Sequence, residues 1–405
     1  MLASKKEILH ASVAAVILIR LMKSIRNLLI TGLCVYAAVF CMHSCKGSGS
    51  SAGEQDGNLT MEEVDSLMVP LDSTTTQVTT YLQLVGDSVL AIYNRPNHDI
   101  VLYNLYTGTT DKVNINNSGP NAVNGVDGFC YVSPDSIWLY SSWGNVLTMI
   151  DADGNKKATH ILSSVKDRDD NPLKYSAWPF PLAITPYIVK NGIHYLQGMD
   201  GQSAEGQEPG VTMIFNENTG NWKTANPYPA LYGPDEDIVY WNTFGYRQAG
   251  YAMSPDGKMV ISFPASDSLY VYDPITDNRV AYLAAYSKPT NIHQVKTKTQ
   301  VESTINYLEQ YSYPAVLYDK YNKLYYRIVN LPFKNFDREN PDSESNKRPG
   351  AVIILNERFE KVGEYLIPDG KRSTINAFVS EQGLHINAPS DDDDFMKFRV
   401  FKLKK

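Results

Sequence analysis

The feature that most constrains the fold is a recurring pattern, in which a polar turn leads into a strand of alternating apolar and polar side chains. The pattern occurs six times, beginning at Gly86, Pro134, Asn191, Pro255, Tyr321 and Gln382. Alternation with a period of two residues indicates β-strands. Repetition of one such unit indicates a repeat architecture, in which each unit packs against its neighbours.

Each repeat contains further strand segments around this turn. A short apolar segment such as 128–132 comes before the turn, and a third strand such as 146–150 follows. In five repeats another turn leads to a fourth strand, for example 157–161. Four antiparallel strands make one blade of a β-propeller. The sequence therefore predicts an all-β chain with a single propeller of six blades, and the stretch 226–253 leaves a seventh blade open.

The sixth repeat ends after three strands because the chain stops at Lys405. An unpaired strand edge invites aggregation, so a closed ring needs a partner for that edge. The segment 64–71, upstream of the first blade, is available for this pairing. We therefore predict that an N-terminal strand completes the last blade.

The N-terminus has the layout of a secretory signal. Basic Lys23 and Arg26 precede the apolar run 28–42, and Ser44-Cys45 is followed by a Gly/Ser-rich stretch. Such a cysteine is expected to carry lipid and to become the mature N-terminus. We therefore predict a signal peptide over 1–44, a lipid-anchored flexible tether over 45–63 and the propeller over 64–405.

Two alternatives stay open at this end of the chain. The apolar run could be an uncleaved membrane helix, and residues 1–21 could reflect a start codon assigned too early. The lipid anchor predicts a place in the cell envelope at the outer membrane, and the sequence does not indicate which side of that membrane the domain faces.

Charge and cysteine content narrow the class of partner. The whole chain has a net charge of -7, and without residues 1–44 it has 32 basic and 43 acidic side chains, a balance of -11. An acidic domain repels phosphate backbones, so nucleic acid is not an expected partner. With Cys45 acylated, Cys130 is the one thiol left, so no intramolecular disulfide is expected. A monomer is expected.

One repeat carries the clearest resemblance to known proteins. The sequence SPDGKMVISF at 254–263, with LYVYD at 269–273, resembles a blade motif shared by many bacterial propellers. Together with the Ser-Cys pair and the layout of 45–405, it resembles the propeller lipoproteins grouped as domain of unknown function 4221 (DUF4221). This resemblance implies the propeller fold and brings no known activity.

The long loops predict where a ligand would bind. In a propeller, the connections from the second to the third strand and from one blade to the next share a face, and here these connections are the long ones. Long loops on a rigid scaffold are typical of binding surfaces. Aromatic and polar side chains on this face are the candidate ligand contacts: Arg95, His98, Trp143, Trp178, Trp241, Tyr246 and Arg247. The aromatic ones could instead pack loops onto the blades.

Catalytic and metal-binding signatures are sparse. The sequence has no Gly-x-Ser-x-Gly elbow, no His-Glu-x-x-His and no phosphate-binding glycine loop, so no catalytic residue is assigned. The four aspartates at 391–394 could ligate Ca²⁺ or simply form a solvated loop, and no other cofactor is expected. The segment 151–155 resembles the start of a calcium loop but is interpreted as a hairpin turn.

Two functions follow from these observations. The favoured one is a non-catalytic module that binds a protein or glycan through the loop-rich face. The alternative is a carbohydrate- or lactone-active enzyme with a site gathered at the channel mouth from several blades.

Overall fold

A computed structural model describes residues 59–77, 79, 81–162, 177–200, 210–233, 241, 244–295, 297, 299–333, 348–368, 370 and 373–404. All of them belong to one compact unit, formed by 49–334 and 347–405. Their strands form six antiparallel sheets arranged as a ring of blades, which confirms the predicted six-bladed propeller.

The first three blades follow one another along the chain. Blade 1 comprises β2 (Leu82–Val85), β3 (Val89–Asn94), β4 (Asp99–Asn104) and β5 (Thr110–Asn114). Blade 2 comprises β6 (Gly128–Ser133), β7 (Ser136–Ser141), β8 (Val146–Ile150) and β9 (Lys156–Ile161). Blade 3 comprises β10 (Ala177–Pro179), β11 (Ile188–Lys190), β12 (Ile193–Asp200), β13 (Thr212–Asn216) and β14 (Trp222–Ala225).

The other three blades complete the ring. Blade 4 comprises β15 (Gly250–Met253), β16 (Met259–Ser262), β17 (Ser268–Asp273) and β18 (Asn278–Leu283). Blade 5 comprises β19 (Ser312–Asp319), β20 (Leu324–Asn330), β21 (Gly350–Asn356) and β22 (Lys361–Ile367). Blade 6 comprises β23 (Ser373–Ser380), β24 (Gly383–Ala388), β25 (Phe395–Leu403) and, from the other end of the chain, β1 (Met61–Pro70).

The N-terminal strand closes the ring as predicted. Strand β1 pairs antiparallel with β25 from Met61 opposite Leu403 to Pro70 opposite Phe395. It begins three residues before the predicted segment 64–71. The guanidinium of Arg399 donates hydrogen bonds to the Glu63 carboxylate across this pair, so an ion pair reinforces the joint between the two ends of the chain.

The stretch 226–253 does not add a blade. Its described residues form a short 3-10 helix (Ala230–Tyr232), the helix α1 (Phe244–Arg247) and the first strand of blade 4. A longer helix, α2 (Gln300–Leu308), lies in the connection from blade 4 to blade 5. It begins with a capping box between Thr299 and Glu302, which satisfies backbone amides at its start.

Burial follows the position of a strand within its blade. Every residue of β20, a middle strand, is buried, because neighbouring blades cover both of its faces. The outermost strand β18 instead has mostly exposed residues. Buried apolar side chains form clusters that join neighbouring blades, such as blades 4 and 5. The face-to-face packing of the blades therefore makes the core.

The innermost strand of blade 3 is divided in two. Strand β11 pairs with the first half of β12, and β10 pairs with its second half, from Ala177 opposite Asp200 to Pro179 opposite Gly198. The residues 180–187 between them leave the sheet. We call this segment the central plug.

The central plug contacts the inner edge of the other five blades. Tyr187 N donates to Tyr81 Oη over 2.9 Å, next to blade 1, and Pro181 packs on Gly128 of blade 2. Tyr251 of blade 4 donates its backbone N–H to Ile184 O over 3.0 Å. Leu182 and Ile184 share an apolar cluster with inner-strand residues of blades 5 and 6. The segment therefore fills the centre of the ring, where the first strands of neighbouring blades meet.

Candidate functional site

The two faces of the ring differ in the length of their connections. The turns from first to second strand and from third to fourth strand are short, for example between Val85 and Val89. The other face carries the long connections, including 226–249 between blades 3 and 4 and 284–311 between blades 4 and 5. We call these the tight-turn face and the loop-rich face. Because the central plug occupies the channel, a ligand on the loop-rich face would rest on loops over the blades.

Two of the predicted site residues are joined by one network between blades 1 and 2. The guanidinium of Arg95 lies 3.5 Å from Asp127 Oδ1. Asp127 Oδ2 accepts hydrogen bonds from the backbone N–H and the hydroxyl of Ser142, over 2.8 and 2.5 Å. Ser142 directly precedes Trp143, so the same carboxylate positions Arg95 and the turn that carries Trp143.

His98 lies at the end of the same turn as Arg95. Its backbone has a φ of 54°, its N–H donates to Arg95 O, and its carbonyl accepts from Ile115 N over 2.8 Å. Nδ1 of its ring is buried and has no hydrogen-bond partner among the described residues. The left-handed backbone at His98 closes the turn.

Trp143 and Trp178 are the exposed indoles of the loop-rich face. Trp143, in the β7–β8 turn of blade 2, is 85% exposed, and Trp178, on β10 of the neighbouring blade 3, is 54% exposed. Rings of this size are normally buried or placed at interfaces, because each carries a large apolar area. Both indoles are accessible to a ligand, and their role as ligand contacts stays a prediction.

Trp241 and Tyr246 are placed differently, since they are only 3% and 1% exposed. They belong to a row of ring contacts that runs through Tyr232, Trp241, Tyr246 and Tyr307, with neighbouring centroids 4.9–5.1 Å apart. Tyr246 Oη donates to Tyr311 O over 3.0 Å. The row packs the connection 226–249 against 284–311, which favours the packing role that the sequence left open for these aromatics.

Arg247 is half-buried at the end of α1. Its backbone carbonyl accepts a hydrogen bond from Tyr228 Oη over 2.5 Å, so it is fixed within the same connection as Trp241. Cys45, the predicted lipidation site, lies outside the described residues.

A cleft that the sequence did not indicate lies over blade 4 on the loop-rich face. It has a volume of about 450 Å³. Three connections build it, and its lining includes Leu231, Trp241, Ser266, Asp267, Tyr270, Ile292, His293 and Gln294. Asp267 lies in the short β16–β17 loop and His293 in the long connection 284–311. They form no sequence motif, because only the fold brings the two loops together.

Two segments were compared with calcium sites in the sequence, 391–394 and 151–155. The aspartates at 391–394 are exposed, and across the described part of the chain no group of three or more His, Cys, Asp or Glu side chains is arranged to hold a metal ion. Asp151 Oδ1 instead accepts backbone hydrogen bonds from Asp153 and Asn155. This confirms the hairpin turn predicted for 151–155.

None of the described helices is long and apolar enough to cross a membrane.

Comparison with solved structures supports the same architecture. A DUF4221 family member from Bacteroides vulgatus ATCC 8482 superposes with a TM-score of 0.70 at 21% identity, covering 86% of this chain and 99% of that one. A protein of Bacteroides fragilis NCTC 9343 proposed to be exported gives a TM-score of 0.49 at 9% identity, with 85% and 96% coverage. Virginiamycin B lyase from Staphylococcus aureus gives 0.40 at 10% identity, with 85% and 99% coverage. Only the superposition on the DUF4221 family member is close enough to show a shared fold, and at 21% identity it concerns the fold alone.

Sequence comparison identifies the family. No protein with a curated description matches the chain. The model of the domain of unknown function DUF4221 matches residues 57–366, which is most of the chain and extends from the ring-closing strand into blade 5. The chain therefore belongs to the DUF4221 family.

Proposed function

We propose that this protein is an exported, lipid-anchored propeller that binds a protein or glycan partner through its loop-rich face without catalysing a reaction. The observation that carries the proposal is the exposure of Trp143 and Trp178 on neighbouring blades of that face. An exposed indole offers a large rigid surface and loses little conformational entropy on binding. Arg95 adds a charged group that is linked through Asp127 to the turn that carries Trp143.

The direction of the tether supports an anchored binding module. Strand β25 runs from the loop-rich face toward the tight-turn face, and the start of β1 lies beside its end, where Lys404 N donates to Thr60 O over 2.9 Å. A tether that runs from Cys45 to β1 therefore joins the propeller at the tight-turn face. This arrangement leaves the loop-rich face free to point away from the membrane that holds the lipid.

The anchor is tested separately from the binding face. Metabolic labelling with a fatty acid, followed by mass spectrometry of the mature N-terminus, should find lipid on Cys45 of the wild-type protein. The variant Cys45→Ser should lose the label and leave the outer-membrane fraction. Label retained on that variant would contradict the anchor.

The binding face is tested with residues 46–405 immobilised and exposed to envelope proteins and glycans. We expect the double variant Trp143→Ala/Trp178→Ala to lower capture of the partner by at least about tenfold, since aromatic anchors often dominate binding energy. Tyr106→Ala is the matched control, because Tyr106 is 56% exposed on the tight-turn face. Equal capture by the wild-type and the double variant would contradict the assignment of this face.

A second candidate function rests on the cleft over blade 4. Asp267 and His293 both line it, and a carboxylate with an imidazole can carry out general acid–base chemistry. A carbohydrate- or lactone-active enzyme would then cleave chromogenic glycosides or lactones, and Asp267→Asn would abolish the activity. Absence of turnover with both substrate classes, in protein with its metal content measured, favours the binding module.

A further inference from the structure

We infer that the cleft over blade 4 is a carbohydrate site, in which the Asp267 carboxylate accepts hydrogen bonds from sugar hydroxyls. The inference rests on the proposed function, since it names a ligand class for the same face. The volume of the cleft, about 450 Å³, falls within the range of about 300–1,000 Å³ typical of small-molecule sites.

The loop that forms the floor of the cleft is held by one buried cation. The guanidinium of Arg327, on β20 of blade 5, is fully buried. Its Nη atoms donate to the carbonyl oxygens of Ser266, Asp267 and Ser268 over 2.6–3.1 Å, and also to that of Ala284. Three successive carbonyls fixed from beneath make a rigid floor, which is the preorganisation that a binding site needs.

The remaining donor and the flat face of the same side chain are also used. Nε donates to Ser262 Oγ over 3.0 Å, and the guanidinium carbon lies 4.0 Å from the centre of the Tyr313 ring. All five N–H groups of Arg327 are therefore satisfied. None of these hydrogen bonds goes to a carboxylate, so the nearby acid, Asp267, keeps its side chain for other partners.

The Asp267 carboxylate is oriented by two hydroxyl groups. Its Oδ1 accepts hydrogen bonds from Tyr313 Oη over 2.7 Å and from Thr290 Oγ1 over 2.6 Å. Within the described residues its other oxygen, Oδ2, receives no hydrogen bond. One oxygen thus fixes the group, and the other is an acceptor that a ligand can use.

Other lining groups add to this acceptor character. Gln294 donates its amide N–H to Tyr232 O over 2.8 Å, which leaves its side-chain oxygen as an acceptor. The His293 ring has its Nδ1 3.2 Å from Asn291 O, a contact in which Nδ1 donates, and this leaves Nε2 as the acceptor of the neutral ring. A ligand that fits three acceptors must bring several donors, and the negative charge of Asp267 disfavours an acidic ligand.

One wall of the cleft is apolar. Leu231, which is 44% exposed, and the half-buried Ile292 line it, and the ring of Tyr270 lies beside Ser266. A sugar ring combines hydroxyl donors on its rim with an apolar C–H face. This combination matches a polar, acceptor-rich floor beside an apolar wall better than a simple amine does.

The test uses residues 46–405 in ligand-observed NMR and titration calorimetry with cellobiose, chitobiose, glucosamine, glucuronate and butylamine. We expect the neutral or amino sugars to bind, and glucuronate to bind at least about tenfold more weakly because of charge repulsion with Asp267. Asp267→Asn should weaken sugar binding at least about tenfold. Thr290→Val should weaken it about threefold, because it removes one hydrogen bond that orients the carboxylate.

Two controls keep the outcomes distinct. Asp256→Asn changes an aspartate on the tight-turn face of the same blade and should leave sugar affinity unchanged, and unfolding midpoints show whether each variant folds. Binding by butylamine alone, by none of the sugars, or equally by Asp267→Asn overturns the carbohydrate site. If partner capture still depends on Trp143 and Trp178 in that case, the proposed function stands without it; if capture is also independent of them, both fail.

Discussion

At the scale of single residues, Arg327 shows how a buried cation is accommodated without an acid as a direct partner. Burial lowers its pKa to about 10, so the group remains protonated at neutral pH. Its charge is balanced by carbonyl dipoles, a hydroxyl and the face of an aromatic ring. Because all five of its acceptors belong to blade 4 or its following connection, the side chain also ties blade 5 to blade 4.

We expect Arg327→Met to lower the free energy of unfolding by about 3–5 kcal/mol, since it leaves several buried carbonyls without donors. Urea unfolding followed by tryptophan fluorescence measures the change. Arg358→Met is the matched control, because its side chain is 79% exposed and pairs only at the surface with Glu360; its effect should stay within about 1 kcal/mol. Equal effects of the two substitutions would contradict the structural role of Arg327.

Two buried histidines predict how stability depends on pH. Burial lowers the pKa of His194 to about 3 and that of His385 to about 4, from an ordinary value of 6.5. Both rings are fully buried. Tyr187 Oη contacts His194 Nδ1 at 2.7 Å. Glu217 lies 3.5 Å from His194 Nε2, but with so low a pKa this contact is not an ion pair at neutral pH.

As pH falls from about 6.5 toward 4, the unfolded chain binds protons at these two histidines and the folded protein does not. The contribution of the neutral histidines to the free energy of unfolding should therefore be fully present above pH 6.5. Below pH 6.5 it should decrease, by at most about 1.4 kcal/mol per pH unit for each histidine. Unfolding free energies of the wild type and of His385→Gln between pH 7.5 and 4.5 test this. The variant should show the shallower slope, and identical slopes would contradict the prediction.

At the scale of elements, the central plug explains why blade 3 departs from the four-strand pattern. The chain leaves the inner edge of this blade after β10, crosses the centre of the ring and returns as β11. Gly128 faces the segment from blade 2, and a methyl group there would lie 2.8 Å from Pro181 Cγ and closer still to its Cβ. Carbon atoms pack at about 3.5–4.0 Å, so this position accepts only glycine while the plug is seated.

We expect Gly128→Ala to lower the free energy of unfolding by about 1–3 kcal/mol through overpacking. Pro181→Gly removes the ring that the new methyl group would meet. In the double variant the two effects should therefore fall short of additive by at least about 0.5 kcal/mol. Urea unfolding of the four proteins measures this coupling, and strict additivity would show that the plug does not rest on Gly128.

At the scale of the whole molecule, the ring depends on joining its two ends. Met61 and Val69 of β1 are buried against blade 6, and Glu63 pairs with Arg399. Without β1, strand β25 would present an unpaired edge, although it carries large apolar side chains such as Phe398 and Phe401 that are buried in the closed ring. An edge of this kind is a template for association between chains.

A chain that begins at residue 71 should therefore unfold about 10 °C or more below one that begins at residue 59, and should elute as larger species in size-exclusion chromatography. The chain from residue 59 is the control, because it keeps the whole of β1. Monomeric behaviour and an unchanged midpoint for the shorter chain would show that the ring closes without this strand.

The sequence allowed much of the fold to be predicted, because blade strands are local. The turn at Gly86 and the third strand at 146–150 were recognisable from turn residues and from alternation over a few positions, and the structure has β8 at Val146–Ile150. The closing strand followed from the missing fourth strand of the last repeat. Helix α2 and the short β10 were not predicted, because both lie within connections whose conformation depends on what they pack against.

The candidate site was predicted only at the level of a face. Trp143 and Trp178 are exposed there, while Trp241 and Tyr246 pack within the loops. No local pattern separates these cases, because the exposure of a loop aromatic depends on whether a second connection folds over it. Asp267 and His293 belong to different connections of the ring and form one cleft only through tertiary packing.

Sequence by itself determined the blade repeat and the pairing of the two chain ends, since hydrophobic alternation and turn chemistry act over short distances along the chain. It favoured six blades but left a seventh open, and the structure has six. Tertiary structure alone decided that the centre of the ring is filled by 180–187, that Arg327 fixes the loop at 266–268, and which loop side chains meet solvent. These properties depend on contacts between residues far apart in the chain, whose free energy of burial is set only when the blades pack together.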